Sequence, residues 1–171
     1  MDVISKFTIG TEEGLGILFQ LREAQIREMY ADTVEIEQLN QYITQQLNHK
    51  EAVLELNNLS TQMLTVFKKE VPAGFVMIKQ VMQPEVLKDK KVINLEPFYI
   101  NSEYNEEEIR ESLWQKSLSL TRNYDAIWIE VLQNNPLVPF LKEWGFEVNQ
   151  ESVIEPFNKP SYIMIRWKPS E

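Results

Sequence analysis

The chain has no cysteine in its 171 residues. Disulfides, thiolate nucleophiles and thiolate metal sites are therefore excluded. It has one histidine, His49. A serine–histidine–aspartate device would have to be built around that residue, and its neighbours supply no such partners. A zinc site lacks most of its usual ligand types. No apolar run approaches the roughly 20 residues that cross a bilayer. Met1 to Lys6 contain no apolar stretch of the kind that directs secretion, which makes a cytoplasmic location the expectation. Positive charge is also short, with 17 Lys and Arg against 26 Asp and Glu for a formal net charge of −9. That balance argues against nucleic acid and anionic membranes as partners. It favours a cationic ligand, or serves only to keep the protein soluble. Glycine is scarce, with five in all and none between Gly74 and Gly145.

What is present fits one compact domain over residues 1–171. Hydrophobic residues make up 43% and charged residues 25%, which places the chain among ordinary globular sequences rather than disordered ones. Phe7-Thr8-Ile9 predicts a short strand closed by Gly10. Thr11 then caps a long helix whose first turn carries Glu12 and Glu13. Ile17, Leu18, Leu21, Ala24 and Met29 share one face of this helix, and Phe19, Ile26 and Tyr30 lie nearly opposite. The second face either packs on a neighbour or walls a pocket. Asp32-Thr33-Val34-Glu35 has the form of a helix start, followed by the stripe Ile36, Leu39, Ile43, Leu47. A further short helix is expected over Lys50 to Asn57.

Gln62 to Lys69 alternates as a strand, Glu70 to Ala73 turns, and Gly74 to Ile78 returns, giving an antiparallel hairpin. A polar loop, Gln80 to Lys91, leads to the central unit. Val92 to Ile100 reads as a strand, Glu106 to Asn123 as a helix, Ala126 to Val131 as a strand and Pro136 to Trp144 as a helix. Phe146 to Val148 and Tyr162 to Trp167 close the chain. The fold class is therefore α/β in the mixed α+β sense, a central mixed sheet flanked by helices. Ligands in such sheets collect outside the carboxyl ends of strands, here Ile100 and Val131. Gly10, Gly14 and Gly16 match no phosphate-loop spacing.

Gly74-Phe75-Val76, Phe98-Tyr99-Ile100, Ile127-Trp128-Ile129-Glu130-Val131 with Asn135, and Phe140 with Lys142-Glu143-Trp144-Gly145-Phe146 occur in an order that resembles the GNAT superfamily of N-acetyltransferases. The similarity covers nearly the whole chain. It implies a GNAT-like acyl-CoA N-acyltransferase fold with acetyl-CoA as cofactor and acetyl transfer to a primary amine of a small molecule or protein. It implies that Phe98, Tyr99 and Ile100 hold the pantetheine arm, with Asn135 beside them. The family often places a general base on the fourth or fifth strand, which points to Glu96 or Glu130. The acceptor would then border Phe19, Ile26 and Tyr30.

Two positions depart from the family pattern. Its pyrophosphate loop, Q/R-x-x-G-x-G/A, falls on Asn105-Glu106-Glu107-Glu108-Ile109-Arg110, so Glu108 and Arg110 replace the two small residues. Glycines there let backbone N–H groups approach phosphate at a helix N-terminus. A carboxylate about 5 Å from a phosphate charge costs roughly 3 kcal/mol at an effective dielectric near 20. Arg110 is the one residue of the loop that offers a compensating charge. The glutamates also have a plainer role in satisfying the helix dipole. The tyrosine that often protonates the departing thiolate corresponds to Leu141. These departures leave a second reading open, a GNAT-fold protein that has lost acyl-CoA binding and acts as a binding or interaction module. A homodimer formed through the first helix or the closing strands is compatible with either.

Overall fold

The computed structural model describes residues 2–169; Met1, Ser170 and Glu171 lie outside the described residues. Seven strands form one sheet: β1 (Val3–Thr8), β2 (Thr61–Lys68), β3 (Val71–Lys79), β4 (Val92–Ile100), β5 (Ala126–Leu132), β6 (Glu147–Ile154) and β7 (Lys159–Trp167). Their order is β1-β2-β3-β4-β5-β7-β6. Every pairing is antiparallel except β4 with β5. The helices are α1 (Glu12–Tyr30), α2 (Ile36–Gln46), α3 (His49–Leu56), α4 (Glu107–Leu120) and α5 (Val138–Glu143). Among the described residues, no helix is long and apolar enough to cross a membrane.

The two faces of the sheet are covered separately. On one, α4 and α5 bring Ile109, Leu113, Trp114, Val138 and Leu141 onto Leu64, Val76, Leu95, Ile129 and Met164. On the other, α1 and α3 cover Met63, Phe75, Met77 and Tyr99 with Leu15, Leu18, Leu21 and Ala52. A smaller cluster joins Ile26 and Tyr30 of α1 to Leu39 and Ile43 of α2 and to Leu132 at the end of β5. This last cluster sets the position of the α1–α2 corner over the strand ends.

Local chemistry explains most boundaries. The Thr11 hydroxyl accepts the Gly14 N–H at 3.0 Å and starts α1 as expected. The predicted start at Asp32 is corrected. The amides of Thr33 and Val34 both turn back to the Tyr30 carbonyl, at 3.1 and 3.0 Å, so residues 32–34 finish the turn that leaves α1. α2 begins only at Ile36, which is exposed, after a Glu35 that makes no side-chain cap. The β2–β3 turn is tighter than the predicted four residues. Lys69 and Glu70 take positive φ values of 49° and 70°, and β3 starts at once with Val71. β6 extends to Ile154, so the closing pair is a long hairpin rather than two short strands. α4 ends at Leu120 instead of Asn123, where the Thr121 hydroxyl bonds the Ser117 carbonyl at 3.0 Å.

Candidate active site

β4 and β5 pair over only three rungs, Val92 with Ala126, Ile93 with Ile127 and Asn94 with Trp128. Beyond Asn94 the strands part. β4 bulges against β3 there, since Val76 faces Phe98 while Ile78 faces Leu95, leaving Glu96 and Pro97 to share the space opposite Met77. Pro97 has no N–H to offer a neighbouring strand. The bulge also flips the side-chain alternation. Ile93 and Leu95 share the α4-side core with Phe98 and Ile100, so Glu96 is turned to the other face. Asn94 closes the fork by donating its Nδ2 to the Trp128 carbonyl at 3.1 Å, while its buried Oδ1 has no partner among the described residues. Gly74 is required where β3 passes the tip of β4, because a Cβ there would lie 2.4 Å from the Tyr99 carbonyl oxygen.

The fork opens into a cleft of about 760 Å³. Its walls are Glu96 to Ile100 of β4, Glu130 to Leu132 of β5, the last turns of α1, and the 134–137 turn. Tyr30 and Tyr42 form an aromatic wall backed by Phe157, with ring centroids 4.9 Å and 5.1 Å from the Phe157 ring. Five carboxylates line the cleft, from Glu28, Asp32, Glu96, Glu130 and Glu155, against two cations, Arg22 and Lys79. Both cations are also drawn outward to Glu55 of α3, at 3.5 and 3.7 Å. The cleft is therefore a cation-attracting space in a protein already rich in acid.

The carboxylates differ in their engagement. Glu28 accepts the Tyr99 hydroxyl and the Ser102 N–H, the latter at 3.1 Å. Glu130 accepts the Ser161 hydroxyl at 2.6 Å. Glu96 has neither a hydrogen bond nor an ion pair among the described residues. Burial raises its pKa above the ordinary 4.5, Lys79 draws it back down, and the nearby Glu130 charge adds to the rise. An unbonded carboxylate that holds its proton unusually well is suited to exchanging one. The tyrosines resist ionisation. Tyr30 is pushed up to about 12 by burial and by Tyr42. Tyr99 is raised by burial first and then by its bond to Glu28.

The predicted site residues divide into two groups. Ile26, Tyr30, Glu96, Phe98, Tyr99, Ile100, Asn105, Glu130 and Asn135 all line the cleft. The Asn135 Oδ1 accepts the Leu137 N–H at 2.8 Å. Phe19 does not border the cleft and is corrected. It packs with Ile17 and Ala24 against the α1–α3 core, since the cleft meets α1 only from Arg22 onward. Ile109 is corrected too. Its side chain is fully buried in the core and its N–H is spent on the Glu106 carbonyl at 3.1 Å. Leu141 is likewise buried in the core. Glu108 and Arg110 stand outside the cleft wall, at the first turn of α4.

The acids of that first turn lie outside the cleft wall. Glu106 bonds Lys68 of β2 at 2.5 Å, and none of Glu106, Glu107 and Glu108 lines the cleft. The amides of Glu107 and Glu108 have no acceptor among the described residues, as expected of a helix start. The Arg110 guanidinium lies 3.8 Å from the Phe140 ring centroid and donates to the Asn105 carbonyl and Oδ1, at 3.0 and 2.8 Å.

Sequence reasoning missed Arg22, Glu28, Tyr42, Lys79 and Glu155. One signal existed for part of this set. Arg22, Gln25, Ile26, Met29 and Tyr30 recur at helical spacing and all reach the cleft. Among the described residues, no group of three or more His, Asp or Glu is placed to hold a metal ion.

No protein-family model matches the chain, and no curated protein matches it. Its fold, however, matches solved N-acetyltransferases over almost their whole length. The PaiA N-acetyltransferase of Thermoplasma acidophilum, in complex with coenzyme A, superposes with a TM-score of 0.75 at 17% identity, covering 98% of this chain and 99% of that one. An acetyltransferase of Streptococcus agalactiae gives 0.70 at 15% identity, over 98% and 99% of the two chains. An acetyltransferase of the GNAT family from Streptococcus pneumoniae gives 0.64 at 14%, over 96% and 99%.

Proposed function

We propose that this chain, whose fold is that of the GNAT acetyltransferases, transfers an acetyl group from acetyl-CoA to a cationic primary amine. The observation that carries the reading is the pairing of a forked β4–β5 opening with an acidic cleft in which Glu96 stands unbonded. The residues present fit acetyl-CoA. Phe98 to Ile100 and Asn135 would hold the pantetheine arm at the fork, and the open amides of Glu107 and Glu108 with Arg110 would meet the phosphates. Acetyl-CoA, when bound, supplies an activated thioester carbonyl. The chain's own residues do the rest. Asp32, Glu130 and Glu155 attract an ammonium group, and Tyr30 and Tyr42 give its carbon chain an apolar wall. Glu96 then takes a proton from the ammonium, directly or through water, leaving the neutral amine that can attack.

Support for this reading comes from the fold likeness, which includes a neighbour solved with coenzyme A, and from the Glu106–Lys68 pair, which offsets the charge of one carboxylate at the start of α4. The test is thiol release from acetyl-CoA with a panel of diamines, polyamines and lysine peptides, beside neutral amines. The expected result is turnover with cationic amines that falls at least a hundredfold in Glu96→Gln. Absence of turnover with every amine, together with absence of acetyl-CoA binding, would favour the non-catalytic reading, which the glycine-free first turn of α4 supports.

A further inference from the structure

The sheet has a second concavity at the end opposite the cleft. It lies where α4 ends and β5 begins, beside the last residues of β7, and its volume is about 450 Å³. Three cations line it, Arg122, Arg166 and Lys168, and among the described residues no aspartate or glutamate does. This is unusual in a chain with 26 acidic and 17 basic residues. The nearest carboxylate in sequence, Asp125, is occupied in closing the loop: its Oδ2 accepts the Lys91 N–H at 2.9 Å. None of the three cations has a carboxylate partner among the described residues.

Arg166 is the fixed element of the group. Its Nε donates to the Trp144 carbonyl at 2.7 Å, and its guanidinium carbon lies 5.5 Å from the Trp114 ring centroid. These two contacts set the plane of the guanidinium and leave its two terminal nitrogens without acceptors among the described residues. Burial alone moves its pKa, downward, as expected of a cation without a counter-charge. Arg122, just past the C-terminus of α4, also complements the helix dipole, but that does not explain Arg166 or Lys168. Leu118, Tyr124 and Ile127 give the cavity an apolar floor. An arginine held by two contacts, two exposed cations and an apolar floor make a pocket for an oxyanion carried on a small organic body.

We infer that this far-end cavity binds a small molecule through a phosphate or carboxylate group, independently of the cleft. The test is calorimetric titration of the whole protein with pyrophosphate and with citrate, in coenzyme A at a concentration that occupies the first turn of α4, at constant ionic strength set by sodium chloride. One saturable site is expected for at least one of the two anions. Arg122→Glu combined with Lys168→Glu should weaken it at least tenfold, whereas Arg110→Glu at the cleft mouth should leave it unchanged. Both residues of the pair are exposed, and Arg122→Gln with Lys168→Gln carries the same test should the charge reversal unfold the chain. Preference for citrate over pyrophosphate identifies a carboxylate ligand, and the reverse a phosphate. Heats no greater than those of sodium chloride, undiminished binding in the double variant, or loss of binding in Arg110→Glu would each overturn the proposal.

Discussion

The two ends of the β4–α4–β5 unit carry opposite charge. At the carboxyl ends of the strands, five carboxylates face two cations that are partly committed to Glu55. At the other end, three cations face no carboxylate among the described residues. The helix between them runs with this contrast, because the positive end of α4 lies on the side of the acidic cleft and its negative end on the side of the basic cavity. In each case the side chains accumulate the charge that complements the helix end. At both ends other elements supply most of that charge, through Glu28, Asp32, Glu96, Glu130 and Glu155 at the cleft and Arg166 and Lys168 at the cavity. The lesson is that net charge, −9 for the whole chain, is a poor guide to what any one concavity attracts.

The largest disruption should come from removing what both ends share. Trp114 of α4 stacks on Trp144 at 5.0 Å and lies under Arg166. Trp114→Ala should cost about 3–5 kcal/mol in denaturant unfolding, and it should impair both sites together. A variant that kept full stability would show that the two ends do not depend on this packing.

Next is a change confined to the acidic end. Glu96→Gln should lower kcat/KM about 10²–10⁴-fold. It should not lower stability at neutral pH. Because burial raises the Glu96 pKa, the folded chain holds that proton more tightly than the unfolded chain. The group's contribution to stability is therefore present at low pH and lost as pH rises through the folded value. For the same reason, kcat/KM of the wild type should climb with pH along a limb lying above the ordinary 4.5. Thermal melts across pH, beside the rate profile, separate the two effects.

A smaller change sharpens the contrast from the basic side. Arg122→Glu with Lys168→Glu should weaken anion binding at the far end about tenfold, or about 1.4 kcal/mol, with KM for a cationic amine unchanged. The smallest expected effect is that of salt. Raising ionic strength from 0.01 to 0.15 M shortens the Debye length from about 30 to about 8 Å. Cationic amines at the cleft and anions at the far end should both bind more weakly, while a neutral amine should not respond.

The sequence makes the strands and the fork legible because their signals are local. Val92 to Ile100 and Ala126 to Val131 are apolar and bounded by turns, and Pro97 lies in the bulge just beyond Asn94, the last residue of β4 that pairs with β5. Thr11 is legible as a cap for the same reason. Asp32 misleads because a helix start and the exit turn of a preceding helix use the same residue types. Phe19 misleads because helical spacing gives a direction around α1 but not how far along it the cleft extends. The loss of the two small residues at the start of α4, at Glu108 and Arg110, is plain in the sequence. What it cannot convey is that Glu106 turns to Lys68, a residue 38 positions away on β2. Tyr42 and Glu155 are illegible on the same ground, since only the α2 corner and the β6–β7 hairpin bring them to β4.

Calorimetric titration of acetyl-CoA into the whole protein tests the central claim most directly. The account predicts saturable binding in about the micromolar range, weakened by Arg110→Glu and unaffected by Arg122→Glu with Lys168→Glu. Absence of heat and of thermal stabilisation at millimolar acetyl-CoA would contradict it.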